Sequence, residues 1–340
     1  MRASRLVLLL AAIAVGCTSR VNEEAGKRIF SPQGPPPDVL RARKRIPVAE
    51  APTNHAVFRH IVRMDRLEAI RRAGPQHAVT RLGFTWTRPG KTVSLSERDE
   101  LFADATGAFR AIETNDQDAG LEVVFVGGKA YAKSRYGPFH ARRLDQAARD
   151  VWRNRSTAAL STLDELCDGR LHLSPLGDGS HDGRPVARFA LELGKPWGSP
   201  EGRAGLPPVV YGKWRSPDGA DHPGPDPDTA RRLRFEQHRV PESATGEIEV
   251  DRATGVVLAA SAHATFSVPG LPAEPTATLT YDLTFSVALD RTIHVEPPAK
   301  IVAEKLPQTP NDPLWFLGIG TANPDGGTAA PPGIGTPPGP

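Results

Sequence analysis

Several things are scarce in this chain, and each scarcity narrows what it does. A formal net charge of only +3 over 340 residues gives no case for nucleic acid as a partner. No Gly-x-Ser-x-Gly elbow, His-Glu-x-x-His pair or phosphate-cradling loop occurs, so no known catalytic signature marks an enzyme. Asp164 and Glu165 are adjacent on a helical pattern and face different ways, which rules them out as an acid/base pair. His181-Asp182 and Asp221-His222 with Asp226 and Asp228 lie in loop-like stretches. Their spacing matches no metal motif, and Asp beside Gly and Pro is ordinary turn chemistry. The sequence therefore predicts no catalysis, no cofactor and no metal.

Cysteine is equally sparse, with only Cys17 and Cys167. The basic start Met1-Arg2-Ala3-Ser4-Arg5 precedes the apolar run Leu6 to Val15, closed by Gly16. A positive start, an apolar run of about ten residues and small residues at the cut form a signal peptide, too short for a lasting transmembrane anchor. Cys17 directly after Ala14-Val15-Gly16 resembles the bacterial lipobox, although Ala14 stands where that pattern most often has Leu. The resemblance implies removal of residues 1–16, lipidation of Cys17 (palmitate among the acyl chains) and a membrane partner reached through that lipid. Thr18 follows, and the absence of the Asp that marks inner-membrane retention implies the outer membrane, facing the periplasm. Cys167 is then a lone thiol, expected as a small buried apolar side chain.

Thirty-four prolines and 32 glycines concentrate in three places. Residues 17–54 read as a Pro-rich tether with the basic run Arg41-Ala42-Arg43-Lys44-Arg45. Residues 194–232 read as an irregular excursion carrying Trp197, Tyr211 and Trp214, expected to form a small private core. Residues 301–340 read as a disordered tail, interrupted by the apolar island Leu314-Trp315-Phe316-Leu317-Gly318-Ile319. That island either docks on the protein's own sheet or, through Leu314, Trp315 and Phe316, contacts an envelope partner.

Between these segments, residues 55–300 alternate. From Gly246 to Leu289 a period of two holds with little interruption: Ile248 and Val250, then Val256 to Val268, then Ala277 to Leu289 set apolar residues against Thr, Ser and charged ones. Such a period predicts long antiparallel strands burying one face. From His77 to Arg142 strands and turns repeat as a meander, with Gly127-Gly128 marking a tight hairpin. Val57 to Arg72 has an ambiguous period and is assigned to a strand leading into a helical turn. One strong helix is expected from Leu144 to Cys167, stopped by Asp168-Gly169. Asp182-Gly183-Arg184-Pro185 introduces a strand from Val186 to Leu193, Arg231 to Val240 begins the return to strands, and Pro297-Pro298 ends the sheet. The fold class is mainly β (α+β): a large curved antiparallel sheet or unclosed β-barrel, with one central helix on its concave face.

A lipoprotein signal, meandering strands, one inserted helix and a final long hairpin together resemble the LolA/LolB/LppX superfamily of envelope carriers. The residues that carry the resemblance are Gly128 to Lys133, Asp182 to Phe189 and Glu247 to Gly255, the last with the order strand, Asp, turn, Gly, strand. It implies a half-barrel whose concave face holds acyl chains beneath a helical lid. The ligand-lining residues would be Val256, Leu258, Phe266, Leu279, Tyr281, Leu283 and Phe285 from strands, and Trp152 from the lid. Leu271, between Pro269 and Pro272, would match the protruding loop by which LolB acts. The expected function is a monomeric, lipid-anchored envelope protein that binds a lipid or lipoprotein acyl ligand. The alternative is a scaffold lipoprotein with a packed β core.

Overall fold

The computed structural model describes residues 45–64, 66–144, 147, 159–197, 213–215, 221–223, 234–269, 276–303, 316, 317 and 319. Their dominant feature is one sheet of 12 strands, ordered β14-β6-β5-β4-β3-β2-β1-β13-β12-β11-β8-β7. The meander comprises β1 (Gln76–Arg88), β2 (Lys91–Ala103), β3 (Phe109–Asn115), β4 (Gly120–Val126), β5 (Lys129–Ser134) and β6 (Phe139–Arg142). Beside β1 lie β13 (Ala277–Leu289), β12 (Val257–Val268), β11 (Val240–Asp251), β8 (Arg184–Leu193) and β7 (Leu171–His181). All of these neighbours pair antiparallel. The short β14 (Ile301–Val302) joins β6 in parallel at one edge, β7 forms the other, and the sheet does not close.

Alternation decides which face is buried. On β13 the pattern is Ala277, Leu279, Tyr281, Leu283, Phe285 and Val287 buried against exposed Asp282, Thr284, Ser286 and Ala288, as the sequence required. Turn chemistry agrees at Gly127 and Gly128, whose φ values of 58° and 73° suit the primed two-residue turn that joins β4 to β5.

The cover on the buried face differs from expectation. The described residues of 57–72 form no strand; most fall in two eight-residue helices, α1 (His55–Val62) and α2 (Arg66–Ala73). Asn54 starts α1 by accepting the backbone N–H groups of Ala56 and Val57 at 3.1 and 3.3 Å. Val57, Phe58, Ile61 and Val62 then face the core, a helical spacing that the interspersed arginines of α2 obscured. The third helix, α3 (Ala159–Leu166), is the C-terminal part of the helix expected from Leu144 to Cys167. Leu144 and Ala147 are also helical, and most of the intervening stretch lies outside the described residues. Asp168 and Gly169, both left-handed at φ 56° and 65°, end α3 where the sequence placed its stop.

Three further expectations need correction. Residues 234–238 form a helical turn, so the return to strands begins at Val240. The excursion contains a two-stranded hairpin, β9 (Lys213–Arg215) with β10 (Asp221–Pro223). Beyond Pro297-Pro298 the sheet gains β14, so residues 301 and 302 are ordered on its edge.

Candidate functional site: the helix-covered face of the sheet

The inner face is built from matched rows. Alanines 260, 262 and 264 on β12 lie opposite Phe285, Leu283 and Tyr281 on β13, and these in turn face Thr80, Leu82 and Phe84 on β1. A stripe of small residues beside a stripe of large ones lets the large side chains stand upright toward the helices. Tyr281 packs edge-on to Phe84, with ring centroids 5.2 Å apart. Its hydroxyl points at the carbonyl of Ala159 in α3, 3.5 Å away.

Continued across β2 and β3, the same rows change character. Thr80 faces Asp99, which faces Glu113; Leu82 faces Glu97, which faces Asn115. All five polar residues are buried, and each of the three acids has a partner. Gln76 and Thr80 leave buried polar atoms without a hydrogen bond. The face is therefore apolar along β12 and β13 and carboxylated along β2 and β3. Alternation alone could not reveal this, because Glu97 and Asp99 occupy the inward phase between Leu95 and Leu101.

The residues expected to line a ligand site are brought together. Val256, Leu258, Phe266, Leu279, Tyr281, Leu283 and Phe285 share one hydrophobic core, each between 0 and 7% exposed. Cys17, Trp152, Leu271, Leu314 and Trp315 lie outside the described residues. Phe316 is half-buried against the main core, where Leu317 and Ile319 are 2% exposed.

Polar ties hold the helical cover. At the end of α1, Arg63 donates from Nε and Nη2 to Asp164 Oδ2 of α3, both at 2.6 Å. Arg239 donates to the carbonyls of Leu166 at 3.0 Å and Glu165 at 2.7 Å, which satisfies the C-terminal end of α3 with a cation. Cys167, free and fully buried behind α3, has its thiol pushed up to about 12 by burial, with Asp164 adding to the shift.

Trp197 belongs to this cover rather than to a private core. Its indole N–H donates to the carbonyl of Leu171 at 2.7 Å. Its ring stacks on His55 at 5.0 Å, on His172 at 4.4 Å and on Phe58 at 5.6 Å. Burial, then Arg59, holds the His55 imidazole below its ordinary value. Tyr211 lies outside the described residues. Among the described residues no group of three or more His, Cys, Asp or Glu side chains is placed to hold a metal.

No protein-family model matches the chain, and no curated protein sequence matches it. Among solved structures it is similar to LprF from Mycobacterium bovis, at 10% identity over 71% of this chain and 97% of that one, with a TM-score of 0.27. It is also similar to the lipoprotein LppX from Mycobacterium tuberculosis (11% identity, 64% of this chain, 93% of that one, TM-score 0.21). A LolA superfamily protein from Nitrosomonas europaea is a third (13% identity, 66% and 90%, TM-score 0.20). At these identities and TM-scores the likeness does not extend to individual residues.

Proposed function

We propose that the protein is a monomeric, lipid-anchored envelope protein that takes an apolar ligand, a lipid or the acyl chains of a lipoprotein, between the inner face of its sheet and the helices over it. One observation carries this reading. Among the described residues, the apolar rows of β12 and β13 are closed by helices, α1 and the stretch Ala159–Leu166 of α3, and not by a second sheet. A cover of this kind separates from a sheet at the loss of few backbone hydrogen bonds, while each methylene buried in its place contributes about 0.8 kcal/mol. Lipidation at Cys17, outer-membrane residence facing the periplasm and the absence of catalysis are parts of the same proposal. Leu258, Phe266, Leu279, Tyr281, Leu283 and Phe285 are its lining.

A second reading, a scaffold with a permanently packed core, is favoured by the near-complete burial of those same side chains. Mass spectrometry of organic extracts from full-length protein carrying Cys17→Ser separates the two. Stoichiometric co-purified lipid, or saturable uptake of a fluorescent fatty acid that Tyr281→Trp diminishes, supports the ligand reading. Protein that is lipid-free and refuses the fatty acid is a scaffold.

A further inference from the structure

The opposite face of the sheet carries a feature that the ligand reading does not use. A groove of about 730 Å³ crosses six adjacent strands, β3, β2, β1, β13, β12 and β11, within the size range of small-molecule sites. Its outward residues are small and hydroxylated: Ser96, Thr114, Ser261, Thr284 and Thr245, with Gly83 near the middle. Its only ring side chain is His263; no Phe, Tyr or Trp lines it.

Two guanidinium groups line the groove together with two carboxylates, Asp116 and Asp282. Arg81 on β1 and Arg98 on β2 are direct cross-strand partners, and both line the groove. Like charges directly opposite one another destabilise a sheet. Arg98 is balanced by Glu100, 2.8 Å from its Nε. Arg81 has no ion pair or hydrogen bond from its side chain among the described residues. The two lining acids are held away from Arg81 by other partners, Asp282 by His263 at 2.7 Å and Asp116 by the backbone N–H of Ser96 at 3.0 Å, although Asp116 keeps its charge there. Glu97 faces the buried side of β2. Among the described residues, the groove thus holds one cation without a counter-ion, Arg81, beside a second of the same sign.

Gly83 adds an independent sign. A Cβ there would meet only Asp282, at 3.4 Å or more, which is ordinary contact. Packing does not demand glycine at this site, yet a strand interior carries one two residues from Arg81. Glycine so placed often marks close approach by a ligand.

We propose that this groove binds a phosphate- or carboxylate-type oxyanion borne by a small polar molecule, held by Arg81 and Arg98, with its hydroxyl-bearing body over Gly83, Ser96 and Thr284. Charge-assisted hydrogen bonds from a guanidinium pair suit a planar or tetrahedral oxyanion. The site is separate from the apolar face and stands whether or not that face takes lipid.

Titration of ¹⁵N-labelled full-length protein with inorganic phosphate, glycerol 3-phosphate or phosphatidylglycerol vesicles, at fixed ionic strength, tests the assignment. Saturable shifts at the amides of Gly83, Ser96 and Thr284 and at the Nε–H of Arg81 and Arg98, with either soluble anion, are expected. Arg81→Gln should weaken binding about tenfold or more and leave thermal melting unchanged or raised. Gly83→Ala, which the strand accommodates, should weaken binding by narrowing the groove with both arginines intact. No saturable shift, equal binding by both variants, or a response to vesicles alone overturns the proposal.

Discussion

Arg63 and Asp164 join α1 to α3, two of the helices that cover the sheet, with Nε and Nη2 of the guanidinium each 2.6 Å from a single carboxylate oxygen. Asp164 is 1% exposed, while Arg63 keeps 31% of its side chain in solvent. Breaking one side of a fully buried pair costs about 3–5 kcal/mol. Because Arg63 is a third exposed, Arg63→Ala should lower the unfolding free energy by about 2 kcal/mol. Urea midpoints check this, and Asp164→Asn added to Arg63→Ala should recover part of the loss. A double variant no more stable than the single one would mean that the carboxylate's charge is not what the arginine compensates.

Tyr281 ties the same cover to the sheet mainly by volume. Its hydroxyl contact with Ala159 is at the outer limit of a hydrogen bond, whereas its ring fills the space opposite Ala264 and against Phe84. Tyr281→Phe should therefore cost less than about 1 kcal/mol, and Tyr281→Ala about 3–5 kcal/mol. Equal costs in denaturant unfolding would transfer the role from the ring to the hydroxyl.

These two contacts divide what was legible in the sequence from what was not. The strand faces were legible because each side chain's direction follows from a period of two, and Tyr281 fell on the buried side at once. The turn at Asp182-Gly183 was legible too, its residues both having positive φ. The Arg63–Asp164 pair joins positions 101 apart in sequence, and no local pattern encodes such a distance. The helices α1 and α2 were misassigned because Arg66, Arg71 and Arg72 interrupt a short apolar pattern, and tertiary packing decides such segments. The buried acids Glu97, Asp99 and Glu113 followed the inward phase while contradicting its chemistry.

Two strand glycines should respond oppositely to the same substitution. A Cβ at Gly246 would lie 2.1 Å from the carbonyl oxygen of Ser261, a backbone atom held in the β11–β12 ladder. Gly246→Ala should force that ladder apart and cost about 2 kcal/mol or more. Gly83→Ala meets ordinary contact and should add about 0.5 kcal/mol by restricting the unfolded chain. An unchanged or raised melt for Gly246→Ala would overturn the steric account of Gly246, and a lowered one for Gly83→Ala would overturn that of Gly83.

The Cys167 thiol, pushed up to about 12 by burial, should stay protonated and unreactive in the native state. Alkylation by iodoacetamide at pH 8 should proceed only in denaturant. Fast labelling of native protein, followed by mass, would mean that the cover over Cys167 opens readily.

Asp251 gives the turn between β11 and β12 its shape and makes it sensitive to acid. Its Oδ1 accepts the backbone N–H groups of Ala253 at 2.9 Å and Thr254 at 2.8 Å, and its Oδ2 accepts from Arg184 Nε on neighbouring β8. The Asp and Gly of the strand, Asp, turn, Gly motif therefore have distinct tasks, since Gly255 at φ 73° packs its bare Cα against Ile46. Burial alone would raise the Asp251 carboxyl; Arg184 and the Thr254 N–H outweigh it and hold the carboxyl below its ordinary value. A lowered folded-state value means that the unfolded chain binds the proton more tightly. The resulting stability is complete above the ordinary Asp range near pH 4 and is lost as pH falls through the lower, folded value. Asp251→Asn keeps an acceptor for the turn and discards the charge that Arg184 meets. Its deficit relative to the natural protein should be largest at neutral pH and shrink steadily below about pH 4, in urea midpoints taken from pH 7 downward. A deficit that stays constant over that range would show that Asp251 acts through its shape and hydrogen bonds, with its charge contributing nothing.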